Sequence, residues 1–143
     1  MKSRCRAAIA AATGMVAALM SAAGPAYGSQ TDQFRTPSGN IVCATGTRGV
    51  VCQILEYSYA PPQRPDTCHG TYGDVFSQWD GRPAEIRCHT DRPFDPQQGE
   101  IIEYGKTVQA ADVVCTVLPA YIECLDPYAR HGFRLSRESY TVY

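Results

Sequence analysis

The placement of cysteines constrains the fold of this 143-residue sequence more than any other feature. Six of the seven cysteines lie beyond residue 28, at positions 43, 52, 68, 88, 115 and 124. An even number of cysteines in a small exported domain is typical of a disulfide framework. Zinc sites use cysteine pairs separated by about two to four residues, and that spacing does not occur here. We therefore expect three disulfides and no zinc.

Local pattern indicates how the cysteines pair. Cys43 and Cys52 are nine positions apart, and so are Cys115 and Cys124. Each pair lies in two short β-rich arms around a turn. If each pair of arms forms a hairpin centred on its turn, the two cysteines face each other in the close register that lacks mutual hydrogen bonds. The predicted bridges are Cys43–Cys52, Cys115–Cys124 and, by elimination, Cys68–Cys88.

The N-terminus has the pattern of a cleavable signal peptide. A basic region at 2–6 precedes an uncharged, alanine-rich stretch at 7–23 and then small residues. The stretch is short and weakly apolar for a membrane span, which needs about 20 apolar residues. We expect cleavage between Gly28 and Ser29; cleavage before Gly24 and a retained membrane anchor are the alternatives. The expected organisation is a signal peptide followed by a single secreted β domain, at 1–28 and 29–143.

The charge of the expected mature domain limits its partners. Residues 29–143 contain 10 Lys or Arg and 14 Asp or Glu, without a run of basic residues. This composition lacks the basic surface typical of proteins that bind nucleic acid or anionic lipid. We expect a monomer with no nucleic-acid partner and no membrane span after cleavage. The partner itself, an envelope or host component, is not specified by the sequence.

Short β-rich stretches alternate with Gly and Pro along the chain. A spacing of about 8–12 residues between such stretches is typical of all-β folds. We predict an all-β domain of small disulfide-stapled antiparallel hairpins that form one compact sheet or open barrel, with little helix. The pattern also pairs a strand at 100–104 with one at 107–110. Near the C-terminus it predicts one helical turn, capped by Ser136, before an edge strand at 140–143.

Three histidines are the candidates for chemistry. His69 and His89 each follow a cysteine of the expected Cys68–Cys88 bridge, and His131 lies far along the chain. Once the cysteines are oxidised, imidazoles and carboxylates are the groups suited to acid–base work at neutral pH. If the three histidines converge, a small extracellular hydrolase or metal-dependent enzyme is the alternative function. Exposed or locally hydrogen-bonded histidines are the simpler interpretation, and the sequence specifies no catalytic residue and no cofactor.

Aromatic residues are numerous, with nine tyrosines and one tryptophan, Trp79. Aromatic side chains either fill a small core or form a binding face. Because no nucleophile motif or metal motif accompanies them, the sequence favours a non-enzymatic binding or interaction module of the cell envelope or the medium. That function predicts an exposed aromatic patch.

Two segments resemble the signatures of a known family. Residues 34–43 read FRTPSGNIVC and are similar to the pattern TPSGNI-x-C, and residues 131–140 read HGFRLSRESY and are similar to HGF-x-LSRE-x-Y. The family is a group of small exported actinobacterial, mycobacterial-type proteins known only as a domain of unknown function. The resemblance implies a secreted, disulfide-bonded protein and assigns no catalytic residue. Its members often have glycine before the histidine, where this chain has Arg130.

Overall fold

The computed structural model describes residues 32–143, so the expected signal peptide and its cleavage site lie outside the described residues. The described residues form eleven strands and no helix, which confirms the all-β prediction. None of their elements is therefore a helix that could cross a membrane. In chain order the strands are β1 (Gln33–Arg35), β2 (Ile41–Gly46), β3 (Gly49–Ile54), β4 (Thr71–Trp79), β5 (Glu85–His89), β6 (Glu100–Ile101), β7 (Thr107–Ala110), β8 (Val113–Val117), β9 (Ile122–Asp126), β10 (His131–Leu135) and β11 (Tyr140–Val142).

The strands divide between two open sheets. The first sheet has the order β5-β4-β3-β2-β1-β6, and the second has the order β11-β10-β9-β8-β7. Neighbouring strands are antiparallel except for β1 and β6, which are parallel. Buried side chains from both sheets form one hydrophobic cluster, so the sheets face each other as a sandwich. The strand pattern of the sequence does not specify this division.

Two disulfides lie in the middle of the sandwich. Cys43 faces Cys52 across β2 and β3, and Cys115 faces Cys124 across β8 and β9. The Cα atoms are 4.0 Å apart in both bridges, as in close antiparallel pairs without mutual hydrogen bonds. The Sγ atom of Cys52 lies 4.0 Å from that of Cys124. The two bridges, one from each sheet, therefore contact each other inside the core.

The third disulfide lies at the periphery. Cys68 and Cys88 are bonded, with Cα atoms 5.7 Å apart. Cys68 is buried, whereas Cys88 is exposed on β5, an edge strand. This bridge fastens the long segment between β3 and β4 to the edge of the first sheet. The three bonds join the pairs expected from the cysteine spacing.

The predicted pairing of 100–104 with 107–110 is wrong, because the chain changes sheets between these segments. β6 pairs with β1 in the first sheet, whereas β7 pairs with β8 in the second. The N–H of Ile102 donates to the carbonyl of Arg35 at 3.0 Å, and the N–H of Gly105 donates to that of Val117 at 2.7 Å. The turn therefore joins the two sheets instead of closing a hairpin.

The predicted helical turn after Ser136 is also wrong. The N–H of Ser136 donates to the carbonyl of Ser139 at 2.9 Å, opposite in direction to a helical hydrogen bond. The Ser136 Oγ accepts from the N–H of Ser139 at 3.0 Å. The side chain thus closes a tight turn between β10 and β11. β11 pairs only with β10 and is an edge strand, as predicted for the C-terminus.

Candidate functional site

The turns of the sandwich gather at its two ends. The first end, here called the cleft end, contains the β1–β2, β8–β9 and β10–β11 turns, at 36–40, 118–121 and 136–139. The opposite end, here called the Asp126 end, contains the β2–β3, β4–β5 and β9–β10 turns, at 47–48, 80–84 and 127–130. Because antiparallel strands reverse the chain at each turn, every hairpin presents its turn at one of these two ends.

A cleft of about 180 Å³ opens at the cleft end. Its apolar floor is formed by three buried side chains, those of Ile41, Ile122 and Leu135. Two tyrosines line it as well: Tyr104, which is 45% exposed, and the partly buried Tyr121. Ligand sites in proteins commonly combine an apolar lining with a few convergent polar groups.

The polar groups of the cleft come from the two segments that carry the family resemblance. Thr36, Ser38 and Asn40 belong to the first segment, and Ser136 and Arg137 belong to the second. These segments lie near opposite ends of the described chain. The fold brings them to the same cleft because β1 and β10 both end at the cleft end.

Hydrogen bonds connect the two segments through the chain that follows β3. Asn40 Nδ2 donates to the carbonyl of Glu56, and the N–H of Glu56 donates to Asn40 Oδ1, both at 2.9 Å. The Glu56 carboxylate in turn accepts from Arg137 Nη2 at 2.9 Å. The N–H of Ser58 donates to the Arg137 carbonyl at 2.7 Å. One short segment therefore holds both walls of the cleft.

The β1–β2 turn is held by its own side chains. Thr36 Oγ1 accepts from the N–H of Ile41 at 3.3 Å and lies 3.1 Å from Ser38 Oγ. Gly39 has φ +71° and donates its N–H to the Thr36 carbonyl at 2.8 Å. Glycine suits this position because other residues rarely adopt left-handed backbone angles. The turn consequently fixes its hydroxyl groups on the rim of the cleft.

A protein-family model matches residues 11–143, a range that includes both segments. The chain belongs to the DUF6636 family. This is a family of unknown function. No curated protein and no solved structure matches the chain. The family match agrees with the resemblance to a domain of unknown function.

The DUF6636 fold places the three candidate histidines in different surroundings. His69 is exposed beside the peripheral disulfide, and His131 begins β10 on the second sheet. His89 is partly buried on β5. Within residues 32–143, no three His, Cys, Asp or Glu side chains are grouped so that they could hold a metal ion. The structure therefore does not assemble His69, His89 and His131 into a metal site.

His89 is held by hydrogen-bonding groups on both ring nitrogens. Its Nε2 lies 2.9 and 3.0 Å from the two carboxylate oxygens of Asp74, and its Nδ1 lies 2.8 Å from the carbonyl of Asp91. Asp74 is buried and also accepts from Gln53 Nε2 at 3.0 Å. Both ring nitrogens of His89 are therefore in contact with groups of the protein. This cluster fastens β3, β4 and β5 together.

Asp126 is a buried carboxylate that joins two turns, a role that the sequence analysis did not predict. It is 1% exposed, and its Oδ1 accepts from the N–H groups of Tyr128 at 2.9 Å and Ala129 at 3.0 Å. Its Oδ2 accepts from the N–H of Gly81 at 2.7 Å. The hydrogen bonds from Ala129 and Gly81 hold the pKa of Asp126 below its ordinary value despite burial. Asp followed by Pro after a strand is a turn signal, which could have indicated the local half of this arrangement.

Asp126 thus joins a turn of the second sheet to a turn of the first. The same β9–β10 turn holds Arg130 at φ +60°, with its N–H donating to the Asp126 carbonyl at 2.8 Å. A tight turn therefore forms here with a side chain in a left-handed conformation.

The exposed tyrosines are distributed over the molecule. Tyr104 lies at the cleft end, and Tyr128, which is 84% exposed, lies at the Asp126 end. Other tyrosines pack on the core: the rings of Tyr57 and Tyr59 stack at 4.4 Å, and Tyr59 meets Tyr140 at 4.9 Å. The aromatic side chains therefore serve both the core and the surface, and the two ends do not share one continuous aromatic patch.

Proposed function

We propose that this DUF6636 protein is an exported, non-enzymatic binding module of the actinobacterial cell envelope or medium, and that its ligand occupies the cleft. The observation that carries the proposal is the meeting of two distant segments around one cleft with an apolar floor and a polar rim. The three disulfides support an extracellular location, because such bonds persist in oxidising compartments.

The chemistry of the cleft supports recognition more than catalysis. Nucleophilic catalysis requires a nucleophile and a base within hydrogen-bonding reach. Ser38 Oγ lies against another hydroxyl, that of Thr36, and Ser136 Oγ is bonded to Ser139. None of the three histidines is among the residues that line this cleft. Hydroxyl groups, a guanidinium and two tyrosine rings suit a polar ligand with apolar faces.

Disulfide-bonded hairpins support the walls of the cleft, which favours binding. The turn at 118–121 closes the hairpin bridged by Cys115 and Cys124, and Ile41 begins the hairpin bridged by Cys43 and Cys52. Ordering loops and side chains at an interface costs about 0.5–1.5 kcal/mol per mobile side chain. Walls that are already held by disulfide-bonded hairpins avoid part of that cost.

Sedimentation with purified actinobacterial cell walls tests the binding function. Residues 29–143 are incubated with walls at high salt, so that non-specific charge contacts are screened, and the co-sedimenting fraction is measured. We expect Tyr104→Ala to weaken wall binding about fivefold or more, the usual size of a central aromatic contact. Tyr128→Ala removes an even more exposed tyrosine from the opposite end and is expected to leave wall binding unchanged.

Several results would count against this function. Failure of the wild-type domain to sediment with walls, or equal losses in the two tyrosine variants, would contradict binding through the cleft. Release of soluble fragments from the walls by the wild-type domain would instead favour the hydrolase. Export is tested separately by N-terminal sequencing of protein from the culture medium, where we expect Ser29 as the first residue. A full-length chain retained in the membrane would contradict export.

A further inference from the structure

A second cavity lies at the Asp126 end, away from the cleft. It has a volume of about 170 Å³ and is lined by Arg48, Trp79 and Arg82. Arg48 belongs to the β2–β3 turn, Trp79 ends β4, and Arg82 lies in the turn that follows. The only tryptophan of the chain is therefore flanked by two arginines.

Buried polar groups hold the turn that carries Trp79 and Arg82. Gln78 is fully buried, and its Nε2 donates to the carbonyls of Trp79 at 2.9 Å and Arg82 at 2.7 Å. The N–H of Arg82 donates to the Trp79 carbonyl at 3.1 Å. The carboxylate of Asp126, at the end of β9 in the second sheet, accepts from the N–H of Gly81. The backbone beneath the cavity is thus fixed by side chains from two strands, one in each sheet.

The β2–β3 turn is also held close to Trp79. The N–H of Asp80 donates to the carbonyl of Arg48 at 2.8 Å. Gly49 faces Trp79 across the ladder, and a Cβ atom at this position would lie only 2.1 Å from the Gln78 carbonyl oxygen. Only glycine allows the two strands to approach this closely. Arg48 is therefore held on one side of Trp79 while Arg82 lies on the other.

Polar groups of the residues that line this cavity are available to bind a ligand. The Arg48 side chain is 62% exposed, and its Nε lies 3.8 Å from one Asp80 oxygen. Within residues 32–143, Arg82 makes no ion pair and the indole N–H of Trp79 makes no hydrogen bond. Guanidinium groups bind carboxylate and phosphate in a paired, planar geometry. The indole adds a flat apolar face and one further donor.

We propose that Arg48, Trp79 and Arg82 form a second binding site, which takes an acidic sugar: a single saccharide unit that carries a carboxylate or a phosphate. The two arginines bind the anionic group, and the indole packs against the face of the sugar ring. The cavity is smaller than the roughly 300–1,000 Å³ of sites for drug-sized ligands, and it suits one ring. This site is separate from the cleft and does not depend on the proposed function of the cleft.

Tryptophan fluorescence tests the site directly, because Trp79 is the only tryptophan. The emission of residues 29–143 is titrated with glucuronic acid, glucose 6-phosphate, glucose, inorganic phosphate and adenosine monophosphate. We expect saturable changes with the first two, and binding of glucose about tenfold weaker or more because it lacks the charged group. Comparison of glucuronic acid with glucose 6-phosphate distinguishes a carboxylate from a phosphate as the preferred anion.

Variants locate the binding on the three residues. Arg82→Gln is expected to weaken binding of the acidic sugars about tenfold or more, and Arg48→Gln less, because Asp80 already neutralises part of its charge. Arg87→Gln is the matched control: this exposed arginine on β5 pairs with Glu85 and does not line the cavity. We expect it, like Tyr104→Ala in the cleft, to leave the titration unchanged.

Four results would overturn the proposal. Equal affinities for glucose and the acidic sugars would show that the arginines do not bind an anionic group of the ligand. Inorganic phosphate binding as tightly as glucose 6-phosphate would indicate a site for a bare anion. Tighter binding of adenosine monophosphate would indicate a nucleotide site. A loss with Arg87→Gln or Tyr104→Ala as large as that with Arg82→Gln would show that the binding is not located in this cavity.

Discussion

At the Asp126 end the turns are held by hydrogen bonds from buried side chains, whereas at the cleft end they are joined by exposed hydrogen bonds. The buried Asp126 carboxylate accepts from Gly81 in the β4–β5 turn, and the buried Gln78 amide donates to Arg82 in the turn that follows its own strand. The contacts around the cleft instead involve Asn40, Glu56 and Arg137, whose hydrogen bonds are exposed. The two ends thus differ in how their turns are held: by buried side chains at the Asp126 end and by exposed polar groups at the cleft end.

The difference has an energetic consequence. Removing one partner of a buried charged hydrogen bond leaves other groups desolvated and unsatisfied, which is costly. Exposed ion pairs contribute about 0–1 kcal/mol, because water replaces them at little cost. Substitutions of the buried side chains that hold the turns at the Asp126 end should therefore change the free energy of unfolding, while substitutions on the rim of the cleft should change binding in the cleft.

Asp126→Ala should have the largest effect. It leaves the N–H groups of Gly81, Tyr128 and Ala129 without their acceptor, and we expect the free energy of unfolding to fall by about 3 kcal/mol. Urea denaturation of residues 29–143 with the disulfides intact measures this loss. Glu138→Ala removes an exposed carboxylate from the cleft end and should change stability by less than about 0.5 kcal/mol. Similar losses in the two variants would contradict the comparison.

The pH dependence of stability should report the same carboxylate. Because the folded-state pKa of Asp126 is lowered, its contribution is complete above the unfolded pKa of about 3.9 and is lost as the pH falls through the folded value. Asp126→Asn should therefore lose less stability than the wild type between pH 6 and pH 2, as measured by urea denaturation at each pH. Parallel curves for the two proteins would show that Asp126 does not contribute.

Arg130→Gly should stabilise the Asp126 end. Glycine removes the cost of a left-handed residue, about 1–2 kcal/mol, at the expense of greater chain entropy in the unfolded state. We expect a net gain of about 0.5–1 kcal/mol in the free energy of unfolding. Ala111→Gly, at the second left-handed non-glycine position, should act in the same direction. Arg92→Gly, at a position without a left-handed φ, should give no gain; a gain there would refute the conformational explanation.

Arg137→Gln should have the smallest effect on stability and still impair function. It removes the exposed ion pair with Glu56, so we expect a loss of about 0.5 kcal/mol in the free energy of unfolding. Co-sedimentation with cell walls should nevertheless fall, because Arg137 lines the cleft and holds its wall through Glu56. Unchanged sedimentation would show that Arg137 and its ion pair with Glu56 do not contribute to wall binding.

The sequence predicts local features of this fold better than distant ones. The registers of the Cys43–Cys52 and Cys115–Cys124 hairpins follow from nine-residue spacings, because each hairpin is local in the chain. The change of sheet between Ile102 and Gly105 cannot be predicted from the sequence. A turn has the same sequence pattern whether the next strand pairs in the same sheet or in the other one. All-β composition fixes the class of fold, but the division into two sheets depends on which faces are buried together.

The same distinction applies to the functional residues. The role of Asp126 depends on Gly81, 45 residues earlier in the chain, so no local pattern reveals the complete arrangement. The two family-like segments can be recognised in the sequence, yet only the fold shows that they line one cleft. The three histidines are candidates because of their chemistry, and the fold places them in separate surroundings.

Amide chemical-shift mapping tests the central claim, that the cell-wall ligand binds in the cleft, most directly. Isotope-labelled residues 29–143 carrying Arg82→Gln, which we expect to weaken the second site, are titrated with soluble cell-wall fragments. The account predicts that the largest shifts fall on the amides of the turns at 36–40, 118–121 and 136–139 and on Tyr104. No shifts, or largest shifts on the Asp126 end or along β4 and β5, would contradict it.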